Sequence, residues 1–206
     1  MAQLTSNTRI YGFASADGQL SVGNVTPYAT TSNTTGSLVV TGGVGVTGNI
    51  FTSGLVTVTS TSTSTSTTTG ALRVTGGAGI SGNVYTGGFI YSSTGVGYAT
   101  GSGGVVTQLT SRTTGVTLSK LTGRITLFTT TLAAVTSQTF VLTNTFISAT
   151  DVVLINHVSG GTLGLYNFAV VPSNGSASIT IRNNSASTSA SEAPVLQFVV
   201  VKAATD

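Results

Sequence analysis

The chain has 206 residues, of which 5% are charged and none is cysteine. Disulfide and thiolate chemistry are therefore excluded, as is the charge-rich, apolar-poor composition of a disordered chain. The net charge of +3 comes from seven scattered residues, Arg9, Arg73, Arg112, Lys120, Arg124, Arg182 and Lys202; they read as a weakly charged surface, without the clustered basic face that nucleic acid needs.

Residues 1–31 read as a polar arm, within which GQLSVGNVTPYAT at 18–30 is a degenerate echo of the repeat that begins at residue 32. The opening MAQLTSNTRIYG lacks the basic and apolar regions of a secretory signal. No apolar run approaches the ~20 residues of a membrane-spanning helix. Synthesis in the cytoplasm, without general secretion or membrane insertion, is the expectation.

The segment SNTTGSLVVTGGVGVTGNIFTSG at 32–54 recurs as STTTGALRVTGGAGISGNVYTGG at 66–88, with fourteen of twenty-three positions identical. So few large side chains cannot wrap a core of their own, and such a segment must stack on copies of itself, within the chain or between chains. The alternating stretches LVVTG, LRVTG, GVTGNIF and GISGNVY predict short strands broken by glycine turns. Gly42, Gly43, Gly45, Gly48, Gly76, Gly77, Gly79 and Gly82 are the expected structural turn glycines. Each should need a positive φ or a backbone approach too close for a Cβ. Between the repeats, hydroxyl residues run from Thr59 to Thr69, with Thr at odd and Ser at even positions up to Thr67. That run fits either a flexible linker or a thin β shaft with the Thr methyls on one face.

From about residue 98 larger apolar residues appear at strand spacing, in GVVTQLT, GRITLFTTT, QTFVLTNT, DVVLINHV, LGLYNFAVV, SASITIR and PVLQFVVVK. Asn174-Gly175 is a strong two-residue hairpin signal. Seven or eight short strands over about 105 residues predict an antiparallel β-sandwich or barrel. Its expected core is Phe140, Leu142, Val153, Ile155, Leu165, Phe168, Val170, Ile179, Ile181, Leu196, Phe198 and Val200.

Chemistry-bearing motifs are sparse. Gly43 to Gly48 and Gly77 to Gly82 are formal G-x-G-x-x-G matches, but no helix signal follows and no acid lies between Asp17 and Asp151. A dinucleotide site needs both. The four acids, Asp17, Asp151, Glu192 and Asp206, carry no motif that would pair two carboxylates across one bond. His157 is the single histidine and would bind a metal only as a ring of three on a trimer axis. Four Asn-x-Ser/Thr sequons, at Asn24, Asn33, Asn174 and Asn183, are chance expectations in a chain this rich in Ser and Thr. No catalytic, cofactor-binding or metal-binding residue is assigned, and no cofactor is expected.

The unit TG-x-L-x-V-TGG-x-G-[VI]-x-GN-[VI] resembles repeats in fibre and structural proteins of tailed bacteriophages, especially marine and cyanobacterial ones. The stretch GYATGSGGVVTQLTSRTTGVTLSKLTGRITL at 97–127 resembles a C-terminal module of phage and prophage virion proteins. The resemblance implies a homotrimer, an N-terminal part that docks on the capsid or tail, and a distal C-terminal knob; it brings no catalytic residue. The chain differs from large receptor-binding tail fibres in being short. The sequence-based expectation is thus an all-β protein with an anchoring arm at 1–31, a trimeric repeat shaft at 32–97 carrying the Ser/Thr linker 59–69, and a knob at 98–206. It would serve as a non-enzymatic virion fibre or decoration spike. The alternative is a receptor-binding fibre whose knob recognises host surface glycans. Tyr98, Tyr166 and Phe168 would then be the stacking candidates, with core packing the expected role of Phe168.

Overall fold

The computed structural model describes Leu38 and residues 40–204. The chain divides into two compact units, Met1–Val84 and Tyr85–Asp206. The described residues contain strands but no helix and are all-β. The arm at 1–31 lies outside the described residues.

No strand is formed between residues 40 and 104. The short strands expected in the repeats are missing because a strand needs a hydrogen-bonded neighbour, and no second described segment of this chain pairs with them. The backbone is regular nonetheless. It bends at Thr41-Gly42, Thr47-Gly48 and Ser53-Gly54, and again at Thr75-Gly76, Ser81-Gly82, Gly87-Gly88 and Ser93-Thr94, six residues apart within a block, and the second block opens with a further bend at residues 70–72. Aligned on these bends, residues 35–58 and 69–98 read as nine hexads, with Gly second in eight of them and an aliphatic residue fourth in all nine.

The ten residues between the blocks, 59–68, are one hexad plus four. The hydroxyl run ends in a closed turn: Thr69 Oγ1 accepts from the Thr65 and Ser66 amides at 2.8 and 3.0 Å, and Ser64 Oγ donates to the Thr69 carbonyl at 3.2 Å. Gly70 closes it at φ +105, where a Cβ would stand 2.9 Å from Ser64 Cβ. Of the two readings of the run, a continuous alternating strand does not hold beyond Ser64.

Beyond residue 98 the period changes from six to two, and strands form from Val105. They are β1 (Val105–Thr107), β2 (Val116–Thr117), β3 (Thr122–Thr126), β4 (Thr130–Leu132), β5 (Ser137–Thr143), β6 (Val152–Ser159), β7 (Tyr166–Ser173), β8 (Ser176–Asn183), β9 (Ala190–Glu192) and β10 (Val195–Val201). The first sheet has the order β1-β3-β10-β6, the second β2-β5-β8-β7, and β4 pairs with β9. All seven apolar stretches become strands; the count reaches ten because β2, β4 and β9 are too short to show a period. Pairing is antiparallel except for β1 with β3 and β2 with β5.

Alternation fixes which side chains enter the core. In β8, Ala177, Ile179, Ile181 and Asn183 are buried, while Ser176, Ser178, Thr180 and Arg182 take the other face. The Asn174-Gly175 turn closes β7 onto β8 with Ser173 opposite Ser176 and Gly175 at φ +78. One hydrophobic cluster joins the two sheets, with Ile125, Val153, Leu196, Phe198 and Val200 from the first and Val116, Phe140, Leu142, Tyr166, Ala177, Ile179 and Ile181 from the second. Of the expected core, Ile155, Leu165, Phe168 and Val170 are only half-buried against this cluster.

Candidate self-association surface

In the hexads, the exposure of each large side chain follows its position. Sixth-position residues are the least exposed, from 44% at Tyr98 to 59% at Ile80. Fourth-position residues come next, from 61% at Val84 to 84% at Val96. Large residues third or fifth, Phe51, Leu55, Tyr85, Phe89 and Tyr91, stand 87–98% exposed. The same backbone geometry therefore recurs in hexad after hexad. It lays an apolar stripe along each block: Leu38, Val40, Val44, Val46, Ile50, Val56 and Val58 in the first, and Leu72, Val74, Ile80 and Val84 up to the end of the first unit. Among the described residues no side chain of the same chain covers it.

Six of the eight repeat glycines sit in or beside these bends, and Gly45 and Gly79 lie between them. None has a positive φ, and a Cβ at any of them would meet nothing within 4 Å. The positive φ expected at them is absent, because a six-residue bend is reached in backbone regions open to any residue. Crowding is absent too, because no described residue of the same chain approaches them. Sequence reasoning found the 34-residue repeat but missed the hexad inside it. The signal was there: Thr-Gly or Ser-Gly recurs every six residues.

Arg112, Asp151, Glu192 and Lys202 of the second unit serve architecture. Arg112, taken from sequence as surface charge, is fully buried. Its Nη2 donates to the carbonyls of Thr130 at 2.8 Å and Glu192 at 2.5 Å, and Nε reaches Phe128 O at 3.4 Å, while Nη1 has no partner among the described residues. Burial lowers its pKa. The Arg112 guanidinium thus pins the strand ends around β4 and β9 onto the 108–114 loop. Gln108 completes that loop, donating to the carbonyls of Arg112 and Thr114 and accepting from the Phe128 amide.

Glu192 and Asp151 belong to separate networks. Glu192 accepts from the Thr162 amide at 2.9 Å, Thr162 Oγ1 at 2.6 Å and Tyr166 Oη at 2.8 Å. These bonds hold its pKa below the ordinary value, with the Thr162 hydroxyl contributing most. Burial, and next the Glu192 carboxylate, push the Tyr166 phenol up to about 12. Asp151 pairs with Lys202 at 2.5 Å and accepts from the Ser148 and Ala203 amides; the Lys202 ammonium does most to lower its pKa. His157 Nε2 lies 2.6 Å from the Gly160 carbonyl, with its ring edge-on to Tyr166 and Phe168. Among the described residues no three His, Asp or Glu side chains converge.

Of the stacking candidates, Tyr166 is buried beneath Glu192 and offers no platform, and Phe168 is half-buried against the core. Tyr98 keeps an exposed ring but donates its hydroxyl to the Val200 carbonyl. Asn183 is fully buried, its amide donating to the Leu132 and Thr188 carbonyls, so that sequon presents no free side chain. Asp17, Asn24 and Asn33 lie outside the described residues. No protein-family model matches the chain, and no match to it was found among curated proteins or solved structures.

Proposed function

We propose that this chain is a non-enzymatic structural protein of a tailed-phage virion, assembling as a homotrimeric short fibre or decoration spike. One observation carries the self-assembly: a hexad-periodic apolar stripe along residues 40–84 that no other described residue covers. Soluble monomers rarely expose contiguous apolar surface on this scale. A second and third copy, running alongside in register, offer the same stripe at the same height and the missing backbone partners. The repeat glycines then meet backbone from neighbouring chains, where absence of a Cβ matters.

The virion assignment rests on the resemblance of the repeat unit and of residues 97–127 to phage structural proteins. The polar arm at 1–31 is the proposed anchor on capsid or tail, and residues 98–206 the distal β-sandwich knob. The side chains fit a non-enzymatic role, since Glu192, Asp151 and Arg112 are each engaged in holding loops. The receptor-binding alternative loses Tyr166 as a stacking residue, and no other observation favours it.

Two measurements on the full chain test the proposal. Sedimentation at micromolar concentration should give a trimer, and mass spectrometry of purified particles should find the chain at a fixed copy number. A monomer defeats the assembly; absence from particles defeats the virion role.

A further inference from the structure

Residues 160–165 connect β6 to β7, and their ends are anchored differently from their middle. At the first end His157 Nε2 lies 2.6 Å from the Gly160 carbonyl, and Gly160, at φ +65, passes so close to the Ala193 carbonyl that a Cβ would collide with it. At the other end the Asn184 amide donates to Leu165 O at 2.9 Å, and Leu165 packs half-buried against the core. Gly161, Thr162, Leu163 and Gly164 lie between these anchors, and all four are exposed. Leu163, the one large side chain among them, is 70% exposed and supplies no apolar anchor.

Among the described residues, Glu192 is the only side chain outside this stretch that hydrogen-bonds to it. Its Oε2 accepts from the Thr162 amide at 2.9 Å and its Oε1 from the Thr162 hydroxyl at 2.6 Å. Glu192 is itself fixed. Tyr166 Oη donates to its Oε2 at 2.8 Å, and the buried Arg112 guanidinium donates to its backbone carbonyl. Glu192 is therefore a rigid post, and the loop is the part able to move. Local opening is favoured where buried apolar contacts are few and hydrogen bonds are exposed. Residues 161–164 meet both conditions.

We infer that residues 161–164 are an acid-released latch, fastened to the knob by the Glu192 carboxylate and freed when that carboxylate is protonated, with both sheets still folded. The inference does not depend on the assembly proposed above. An ionised carboxylate accepts at both oxygens; protonation removes its charge and turns one oxygen into a donor. The amide and hydroxyl of Thr162 and the hydroxyl of Tyr166 then compete for what remains. The titratable and charged groups facing Glu192 are Tyr166 from β7, His157 from β6 and Arg112 from the 108–114 loop. Tyr166, its phenol pushed up to about 12, stays a neutral donor throughout the acid range. Arg112 stays charged there. A protonated His157 favours the ionised carboxylate and so delays release. Glu192 alone sets the pH. Its pKa in the fastened state lies below the ordinary 4.5, chiefly through the Thr162 hydroxyl. The latch is therefore fully closed above the unfolded value and is lost as pH falls through the folded one.

Amide hydrogen exchange in the full chain tests this. The Thr162 amide reports the latch, and the Ile179 and Ile181 amides, in the middle strand of three, report the sheets. Between about pH 6 and about pH 3, protection at Thr162 should fall at least about tenfold while Ile179 and Ile181 keep theirs. Glu192→Gln, which cannot ionise, should lower protection at Thr162 by at least about tenfold already at the higher pH and remove its pH response. Tyr166→Phe deletes a donor that favours the ionised carboxylate, so it should move the Thr162 midpoint to higher pH; lost packing alone would not. Steady protection at Thr162 across the range would overturn the inference. So would loss at Thr162 only together with Ile179 and Ile181, or a Glu192→Gln variant as protected at Thr162 as the parent. Should that variant fail to fold, the parent's pH series decides alone.

Discussion

The repeat segment and the knob contain similar aliphatic side chains and treat them in opposite ways. In the knob, period-2 strands turn Phe140, Ile179, Leu196 and Phe198 onto one shared core, and each is at most 1% exposed. In the repeats, Val44, Ile50, Val56 and Leu72 stand about two-thirds or more in solvent. The difference is one of spacing. A strand of seven or eight residues between hairpin turns finds its partner within the same chain. A hexad that bends once every six residues, with one to three aliphatic residues per six, has too little apolar surface to fold back on its own neighbours. One part of the chain therefore carries its stability within itself. On the proposed assembly, the other acquires it by mass action, from copies.

The largest expected effect breaks the repeat side of this comparison. Ile50→Asp combined with Val84→Asp places a charge in each block of the stripe. Burial of one such aliphatic contributes about 1.5–3 kcal/mol, and each is present three times in a trimer. Sedimentation of the double variant should show monomer where the parent shows trimer. The knob's thermal transition, measured in dilute solution where the parent dissociates, should not move. A variant that remains fully trimeric would place the association elsewhere.

Arg112→Ala should break the knob side. It removes a fully buried guanidinium and strands three carbonyls, those of Phe128, Thr130 and Glu192. A loss of about 1–3 kcal/mol for each buried carbonyl left without a partner is expected. Arg112→Met, which keeps volume without charge, should cost less. Denaturant titration followed by circular dichroism measures both, and a loss under about 1 kcal/mol for Arg112→Ala would show that these bonds are dispensable.

A smaller pair of changes separates the two regions by position. Gly161 has φ +84, and a Cβ there would stand 2.7 Å from Glu192 Oε2. Gly161→Ala should lower knob stability by about 1–3 kcal/mol, the cost of a strained backbone position. Gly70→Ala is equally strained by geometry but lies in the hydroxyl turn of the other unit. It should leave the knob's melt unchanged and reduce the trimer's resistance to dissociation. A knob melt that falls equally in both variants would show that the two regions are energetically one.

Much of the knob was legible in the sequence because alternation and burial share a cause. Ile179 and Ile181 are core because Ser178 and Thr180 between them are not, and the Asn174-Gly175 pair fixes where β7 turns into β8. What was not legible lies where no period exists. β2 has two residues, too few to alternate, and is held by its parallel pairing with Leu142 and Thr143. Arg112 looks like any surface arginine, since the carbonyls that receive it come from residues up to eighty positions away. In the repeats the glycines were found, with a positive φ or a close backbone approach as the expected reason; within one chain the described residues show neither, and the six-residue spacing is the regularity the sequence carried.

The smallest effect concerns acid, and it should separate the two regions by pH alone. Glu192 and Asp151 both have pKa values below their ordinary 4.5 and 3.8 in the folded knob, the first chiefly through the Thr162 hydroxyl and the second chiefly through Lys202. A carboxyl whose folded pKa is depressed contributes stability that is complete above its unfolded pKa and is lost as pH falls through the folded one. Knob stability should therefore hold from neutrality down to about pH 4.5 and decline below it. Glu192→Gln and Asp151→Asn, though less stable at neutral pH, should flatten that decline. The hexads contain no carboxylate at all, since no acid lies between Asp17 and Asp151. Over the same range the fraction of trimer at fixed concentration should stay level until the knob itself unfolds. A trimer that dissociates above pH 4.5 with the knob intact would mean that a carboxylate sits in the assembly contact. Asp17 or Asp206 would then be the acid to replace first.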